Sequence, residues 1–307
     1  MALNRLLVVG GNGFIGRHIC RSAIKAGYSV TSLSLKPGTV ENADVRELYA
    51  DVTDAIQLAT LLEGEKFEYV INSGGYIDHR HFRNGGRALI RSHFDGTQNL
   101  IELLDRDYLT RFIQLGSSDE YGGIPAPQRE DQRESAISPY SLAKIATTQL
   151  LQMLWRSEHF PAVTLRLFLT YGPGQGNARF LPQLIFGCLN DKTFPVSEGR
   201  QLRDFCHVTD IARGIVQALQ APNNIHGDVI NLASGVPMSI RSVIEQVQNS
   251  IGKGNPEYGK IPFREGENPS LYADIEKAGR FLAWRPEINF IDGLNDTINF
   301  YRNTIDV

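Results

Sequence analysis

The chain has little of what marks several large classes of protein. Its 307 residues carry a net charge of −3, with 31 basic and 34 acidic side chains and no long basic run, which argues against a nucleic-acid binder. Only three cysteines occur, Cys20, Cys188 and Cys206, without C-x-x-C or metal-ligand spacing. They are predicted to be free thiols in a reducing compartment, and no metal site is expected. Apolar runs of membrane-spanning length and a signal pattern are also lacking, so we expect a cytoplasmic protein with no membrane partner.

What the chain does have is an apolar strand that leads into a glycine-rich turn. Residues 6–9 are apolar, GGNGFIG follows, and residues 17–26 have a helical pattern. Gly10 permits a tight turn, Gly13 lets the backbone approach a pyrophosphate, and Gly16 lets the helix pack on the strand. The free N–H groups of the helix N-terminus attract phosphate. The cofactor contacts predicted in this turn are Gly10, Gly13, Phe14, Ile15 and Gly16.

Tyr140 and Lys144 lie four residues apart in SPYSLAK. On a helix they project from one face, where the ammonium is expected to lower the pKa of the phenol towards neutrality and suit it to proton transfer. Alone the pair is a weak signal, because similar pairs occur on solvated helix faces. Ser117 and Ser118 follow the apolar segment 111–115, and the carboxyl ends of parallel strands face the ligand in such folds.

Short apolar strands alternate with longer amphipathic segments, which predicts a parallel sheet covered by helices on both faces. Strands are predicted near 5–10, 28–34, 67–72, 111–116 and 162–168, and helices near 14–26, 54–63, 85–107 and 138–158. The expected class is α/β, a Rossmann-type doubly wound sheet with a smaller C-terminal α/β substrate-binding domain. Residues 1–170 with 205–234 are assigned to the first domain, and 171–204 with 235–307 to the second.

Several motifs occur in an order that resembles the extended short-chain dehydrogenase/reductase family, in its branch of nucleotide-sugar epimerases, dehydratases and ketoreductases. They are GGNGFIG, GTQNLIE, GSSDEYG, PYSLAK, RLFLTYGPG, RDFCHVTDIA and YADIEKAGRFLAWRP. The resemblance implies that Tyr140 exchanges a proton with a sugar oxygen, that Lys144 lowers its pKa and binds the nicotinamide ribose, and that Ser117 orients the oxygen. Ser118 is the alternative if the loop is one residue shorter.

The end of the second predicted strand bears on the cofactor. Where NAD-preferring members of the family have an acidic residue, this chain has Ser34, with Lys36 two residues later. A lysine can meet the 2′-phosphate that a carboxylate would repel, so NADP(H) is favoured over NAD(H). A plain loop lysine with backbone contacts to the ribose is the alternative. Asp51 and Val52 resemble the family residues near the adenine, although Asp51 can equally cap the helix that follows.

A nucleoside-diphosphate sugar is the substrate that the resemblance implies. Guanidinium groups bind phosphate in a planar fork, so arginines at the family's diphosphate positions are the first candidates. The predicted substrate-binding residues are Ser118, Asp119, Asn177, Arg179, Arg203 and Arg264. Lesser candidates are Asp78, His79, His81 and Tyr272.

The exact reaction is less well defined. The cofactor argument favours NADPH-dependent reduction of a ketone, of a 4-keto-6-deoxy sugar in particular, because a reductase must exchange its cofactor at every turnover. A 4-epimerase is an alternative, although His93 and Leu169 replace asparagines common in the family. A 4,6-dehydratase is another, since Asp119 and Glu120 can be read as its acid and base. An NADP(H) sensor without catalysis is the non-enzymatic alternative. By resemblance, the helices at 85–107 and 138–158 are expected to form a homodimer interface.

Overall fold

A computed structural model describes residues 4–38, 44–263 and 266–305. Its strands are β1 (Arg5–Val9), β2 (Ser29–Ser34), β3 (Val45–Tyr49), β4 (Tyr69–Asn72), β5 (Arg111–Ser117), β6 (Ala162–Leu167), β7 (Leu169–Tyr171), β8 (Thr193–Pro195), β9 (Leu202–His207), β10 (Val229–Leu232), β11 (Pro237–Ser239), β12 (Asn255–Glu257) and β13 (Ser270–Leu271). Its α-helices are α1 (Phe14–Lys25), α2 (Ala55–Leu62), α3 (Gly86–Ile90), α4 (Gly96–Leu103), α5 (Pro139–Glu158), α6 (Phe180–Leu189), α7 (Val208–Gln220), α8 (Ile240–Ile251), α9 (Glu276–Leu282) and α10 (Phe290–Ile305).

The larger sheet has seven strands in the order β10-β6-β5-β4-β1-β2-β3, and every neighbouring pair is parallel. The strand order reverses between β1 and β4, which places a crevice at their carboxyl ends. β1 and β5 are apolar and buried almost throughout because helices cover both faces of the sheet. The predicted Rossmann-type doubly wound α/β fold is confirmed.

Separate apolar clusters fill the two faces of this sheet. One contains side chains of α1, α7 and α9, among them Ile19, Ile215 and Leu282. The other contains side chains of α2, α4 and α5, among them Leu58 and Leu151. Since helices and sheet bury each other, the strand ends that carry the polar motifs are held on a rigid support.

A second, smaller sheet contains β11, β9 and β13, with β7 also paired to β9. β8 and β12 form a separate parallel pair. A third apolar cluster lies here, formed by α6, α8, α10 and β9. The predicted domain limits remain a prediction. No helix in the described ranges is long and apolar enough to cross a bilayer.

The main departure from the predicted elements is β3, which the sequence analysis did not identify. It pairs with β2 from Val30↔Val45 to Ser34↔Tyr49 at the edge of the large sheet. Its sequence VRELY alternates with charged residues, and its burial is partial. An edge strand faces less of the core, so its hydrophobic signal is weak.

Candidate active site

The glycine-rich turn between β1 and α1 is closed so tightly that side chains are excluded from it. Gly10 has φ +78°, and a Cβ built on Gly16 would lie 2.1 Å from the Gly10 carbonyl oxygen. α1 begins after Gly13, which caps it without any side-chain hydrogen bond. The first amides of α1 therefore point into an open cradle with the positive end of the helix dipole behind them. These features fit the pyrophosphate of a dinucleotide.

Ser34, at the end of β2, supports this turn. Its hydroxyl oxygen accepts a 3.0 Å hydrogen bond from the Asn12 amide and lies 3.3 Å from the Ser32 hydroxyl. The Asn12 side chain donates in turn to the Lys36 carbonyl oxygen at 3.2 Å, while the Lys36 side chain is exposed. The strand end thus holds the turn in place, and β2 ends in a serine where a carboxylate would be the alternative.

Asp51 and Val52 lie after β3, close to the same edge of the sheet. Asp51 accepts hydrogen bonds from the backbone and hydroxyl of Thr53, at 2.9 and 2.8 Å. The helix that follows is capped by Asp54, which accepts from the Gln57 amide, so Asp51 is not its cap. The Val52 carbonyl accepts from the side chain of Asn99.

Ser117, Tyr140 and Lys144 come together at the carboxyl end of β5. Ser138 caps α5 by accepting from the Ser141 amide at 3.1 Å, and Pro139 occupies the first helical position. This cap starts the helix so that Tyr140 lies in its first turn, where its phenol is close to the side chain of Ser117, the last residue of β5. Lys144, one turn later, donates to the Leu115 carbonyl at 2.7 Å.

The ionisation of this pair is dominated by burial. Burial raises the pKa of Tyr140, and the Asp119 carboxylate raises it further, whereas the nearby Ser117 side chain lowers it. Burial lowers the pKa of Lys144 to about 8 against the opposing effect of the Glu120 carboxylate. The Lys144 nitrogen lies 5.8 Å from the centre of the Tyr140 ring. The net shift of the Tyr140 pKa is upward, opposite to the predicted direction, because desolvation of the phenol is the largest effect.

His93 packs its ring against that of Tyr140, with 5.2 Å between the centres in an edge-to-face arrangement. A π-helical turn over Arg91–Asp95, between α3 and α4, turns His93 inward. The ring lies 2.9 Å from the Tyr76 carbonyl, and burial together with the Lys144 charge lowers its pKa to about 3. His93 is therefore neutral across the physiological range and serves as a wall of the site.

Glu120 turns away from the site and is completely buried. Its carboxylate accepts from the Ser117 amide at 2.8 Å, from the Thr148 hydroxyl at 2.9 Å and from the Arg166 guanidinium at 2.9 Å. Asp119, its neighbour, faces the opposite way and lies 3.6 Å from a ring nitrogen of His79. Glu120 is not positioned as a base, so the reading of Asp119 and Glu120 as a catalytic acid and base is not supported.

A cavity of about 830 Å³ opens beside these residues. His79, Ser118 and Asp119 line its end near Tyr140, and Asn177 and Arg203 also line it. Most of the remaining wall is apolar and comes from α6, α8 and β8. That part includes Leu169, Phe180, Leu184, Phe194, Val196, Ile240 and Ile244. The predicted substrate residues Ser118, Asp119, Asn177 and Arg203 thus share one cavity.

The other predicted substrate residues are placed differently. Arg179 is exposed at the start of α6, outside the lining, but close enough for its charge to lower the pKa of Tyr140. Tyr272 does not line the cavity, and its backbone pairs with Gln128. His81 is exposed, and Asp78 forms an ion pair with Arg80. Arg264 lies outside the described residues.

Arg203 is largely buried, and its guanidinium is already engaged by the protein. It donates to the carbonyls of Leu202 and Asn268, at 2.7 and 3.0 Å, and forms an ion pair with Glu267. A cation beside a carboxylate attracts a phosphate less strongly than an unpaired one. Glu267 also lines the cavity and was not identified from the sequence.

Three functional candidates were missed because each acts through a contact that is distant in sequence. His93 was noted only as a replacement for asparagine, Glu120 only as a possible base, and Glu267 not at all. The sequence GSSDEYG contains one signal that could have separated the roles of Asp119 and Glu120. In a 3₁₀ turn adjacent side chains point about 120° apart, so Asp119 and Glu120 are not expected to face the cavity together.

The chain is similar in sequence to a known protein family and to several known enzymes. The model of the NAD dependent epimerase/dehydratase family matches residues 6–233. A UDP-glucuronate 4-epimerase from Thermodesulfobacterium geofontis is 27% identical, with 98% of this chain and 97% of the relative covered. A dTDP-glucose 4,6-dehydratase from Streptomyces niveus is 28% identical, with 97% and 93% covered.

A solved structure shows the same likeness over nearly the whole chain. The UDP-glucuronic acid 4-epimerase from Bacillus cereus, crystallised with UDP-glucuronic acid and NAD, superposes with a TM-score of 0.86 at 28% identity. The match covers 98% of this chain and 99% of that chain.

Proposed function

Because this chain belongs to the NAD dependent epimerase/dehydratase family, within the extended short-chain dehydrogenases/reductases, we propose that it is a nucleotide-sugar 4-epimerase. The observation that carries the proposal is the placement of Ser117 and Tyr140 together, beside His79 and Asp119 of the cavity lining, with Glu120 withdrawn. Epimerisation needs one group that takes and returns a proton. Elimination of water needs an additional acid and base.

In the first half-reaction Tyr140, as the phenolate, accepts the proton of the sugar C4 hydroxyl while a hydride leaves C4, so that C4 becomes a ketone and Tyr140 a neutral phenol. Ser117 keeps the oxygen in line with the phenol through its own hydroxyl. In the second half-reaction the hydride returns to the opposite face of C4, and Tyr140 gives the proton back to the oxygen. Atoms and electrons balance over the cycle, and no external reductant is consumed.

A bound nicotinamide dinucleotide supplies the site that takes the hydride from C4 and returns it. The chain's contribution is to hold that group and to exclude water. Gly10, Gly13 and Gly16 with the free amides of Phe14 and Ile15 would hold its pyrophosphate. Lys144 is buried beside Tyr140 and would hold the ribose hydroxyls next to the reacting carbon.

The substrate class proposed is a nucleoside-diphosphate sugar. Three residues of the cavity, Asn177, Arg203 and Ser118, provide polar contacts, and its long apolar part suits a nucleobase. Relatives that share the fold along nearly the whole chain act on UDP- and dTDP-linked sugars, by their names. Arg264, outside the described residues, stays a predicted diphosphate contact.

For the cofactor, preference for NADP(H) over NAD(H) stays part of the proposal. No carboxylate ends β2, where Ser34 lies, and Lys36 follows with an exposed side chain. Asp51 and Val52 are the proposed contacts to the adenine. The solved epimerase relative contains NAD, so NAD(H) is the competing cofactor.

A second candidate is an NADPH-dependent 4-ketoreductase. The same absence of a carboxylate at Ser34 favours it, because net reduction draws on NADPH. The catalytic residues would be the same, with Tyr140 donating its proton once to the developing alkoxide. The two activities differ in whether NADPH is consumed.

The experiment incubates the purified chain with UDP-glucose, UDP-glucuronic acid and dTDP-glucose, each with NAD⁺ and with NADP⁺, and in a separate arm with a dTDP-linked 4-keto-6-deoxy sugar and NADPH. Products are followed by anion-exchange chromatography and NMR. A 4-epimer without net change in absorbance at 340 nm is the expected result. A 4-keto-6-deoxy product identifies a dehydratase, and NADPH consumption with a 4-ketosugar identifies a reductase. Cofactor binding without turnover of any of these sugars favours the NADP(H) sensor.

A homodimer is also proposed, formed by α3 with α4 and by α5. Leu142 and Met153 on α5 are apolar, with 49% and 43% of their surface exposed, and Ile90 and Phe94 on the neighbouring segment are half-buried. Pairing with a second copy would cover this face. Light scattering should give twice the mass of 34.2 kDa, and Leu142→Arg with Met153→Arg should give the monomer.

A further inference from the structure

Glu120 is a buried acid for which the proposed reaction has no use as a reactant. None of its surface is exposed, yet it lies directly between the two elements that carry the reacting groups. One carboxylate oxygen accepts from the amide of Ser117, at the end of β5. The other accepts from Thr148, on the same helix as Tyr140 and one turn beyond Lys144.

We propose that Glu120 is a positioning residue for the Tyr140–Lys144 pair, which fixes the Ser117 backbone against α5 and places a buried carboxylate behind the pair. The inference rests on the proposed function, because it assigns a role in that proton transfer. Glu120 itself is fully buried and does not line the cavity, so the proposed role is one of support.

The positioning role follows from the hydrogen bonds. Ser117 caps the short helical turn at 118–121, and Glu120 closes the cap by accepting from the Ser117 amide. The second oxygen ties this turn to Thr148 at 2.9 Å. Arg166 of β6 binds the same oxygen and is held in turn by Glu134 at 2.5 Å. With this many hydrogen-bond partners the Glu120 carboxylate is held in one orientation. The Ser117 backbone, whose amide donates to it, is held with it.

The electrostatic role follows from burial. Removing Lys144 from water favours its neutral form, and the Glu120 carboxylate is the group that opposes this. The same carboxylate raises the pKa of Tyr140, after the larger effects of burial and Asp119. Glu120 thus favours the protonated form of both groups. The other titratable and charged groups that face the pair are His79, His93, Asp119 and Arg179.

The directions of these two pKa shifts determine how the pH dependence of activity should change when Glu120 loses its charge. Tyr140 and Lys144 titrate as a coupled pair, and each loss of a proton from the pair is opposed by a negative charge nearby. Removing the charge of Glu120 therefore makes both losses easier. Both limbs of a bell-shaped pH profile must then move towards lower pH.

The test compares kcat and the pH profile of kcat/KM in four forms of the full chain. Glu120→Gln keeps the size and removes the charge, so both limbs should shift to lower pH by on the order of one unit. Glu120→Asp keeps the charge but shortens the reach to Ser117, so kcat should fall about tenfold without a shift of the limbs. Glu134→Gln removes the outer carboxylate on Arg166 and should leave the profile unchanged.

Loss of a buried ion-pair partner can prevent folding of Glu120→Gln. The double variant Glu120→Leu with Arg166→Met removes the pair together, which proteins tolerate better. This variant removes a cation and an anion that lie 2.9 Å apart, so its limbs should shift less than those of Glu120→Gln, and kcat should still fall because the hydrogen bond to the Ser117 amide is lost. Circular dichroism of each variant establishes that it is folded.

The outcomes separate the two proposals. A wild-type chain without turnover of any sugar overturns the proposed function itself. An active wild-type chain whose limbs stay in place or move to higher pH in Glu120→Gln, or whose kcat is unchanged in the double variant, overturns the role of Glu120. An equal shift in Glu120→Asp also overturns it, because the charge is retained there.

Discussion

The two walls of the site are built on opposite plans. The catalytic wall comes from the end of β5 and the first turns of α5, and its polar groups are buried and bound to one another. The opposite wall, made by α6, α8 and β8, is mostly apolar and has few fixed polar contacts. A rigid hydrogen-bonded wall suits proton transfer, which requires fixed distances. An apolar wall suits a nucleotide, whose affinity depends on buried area.

The largest effect is expected at the phenol. Tyr140→Phe removes the proton-transfer group and should lower kcat by about 10²–10⁴-fold, with cofactor affinity unchanged in a fluorescence titration. Tyr121→Phe is the matched control, because Tyr121 is a buried tyrosine that donates to Asn231 away from the cavity. Full activity in Tyr140→Phe would contradict the catalytic assignment.

The next effect distinguishes the two serines of the catalytic wall. Ser117→Ala removes the hydroxyl proposed to orient the sugar oxygen beside Tyr140 and should lower kcat on the order of 10²-fold. Ser118→Ala, which only lines the cavity, should change KM more than kcat. If the two variants exchange these effects in steady-state assays, Ser118 is the orienting serine.

The apolar wall should respond through binding alone. Phe180 lines the cavity with 38% of its surface exposed, so Phe180→Ala removes contact area with little damage to the core. We expect KM to rise about 10- to 100-fold at nearly constant kcat. A comparable fall in kcat would show that the two walls do not act separately.

The smallest effect is expected at the predicted cofactor site, where β2 ends in Ser34. Ser34→Asp places a carboxylate where the adenosine ribose is expected and should shift the ratio of affinities for NADP⁺ and NAD⁺ about tenfold towards NAD⁺. Lys36→Met should weaken NADP⁺ alone. Titrations of both variants that match the wild-type chain would remove the basis for the NADP(H) preference.

The sequence predicted the large sheet well, because strand, turn and helix are consecutive there and the glycine spacing from Gly10 marks the turn. The roles of Ser117, Tyr140 and Lys144 rested on resemblance as well as spacing, and they stay predictions. The edge strand β3 was missed because its apolar residues alternate with charged ones and are only partly buried. The ionisation of Tyr140 was also predicted in the wrong direction, since burial cannot be read from the interval to Lys144.

The apolar wall was predicted less well, because its residues come from segments far apart in the chain. Arg203 forms an ion pair with Glu267, which is 64 positions away in the sequence, so no local sequence pattern predicts the contact. Glu120 illustrates the same limit at short range. Its neighbour Asp119 faces the cavity, and the difference between them is decided by Arg166 on another strand.

The position of β10 beside β6 has a consequence for how the protein is made. β10 spans Val229–Leu232 and pairs with β6, whose residues leave the ribosome more than sixty positions earlier. Until then the backbone of β6 has an unpaired edge, and unpaired edges recruit other chains. A nascent or truncated chain that ends before β10 is thus prone to aggregate, whereas one that continues through it closes its own sheet.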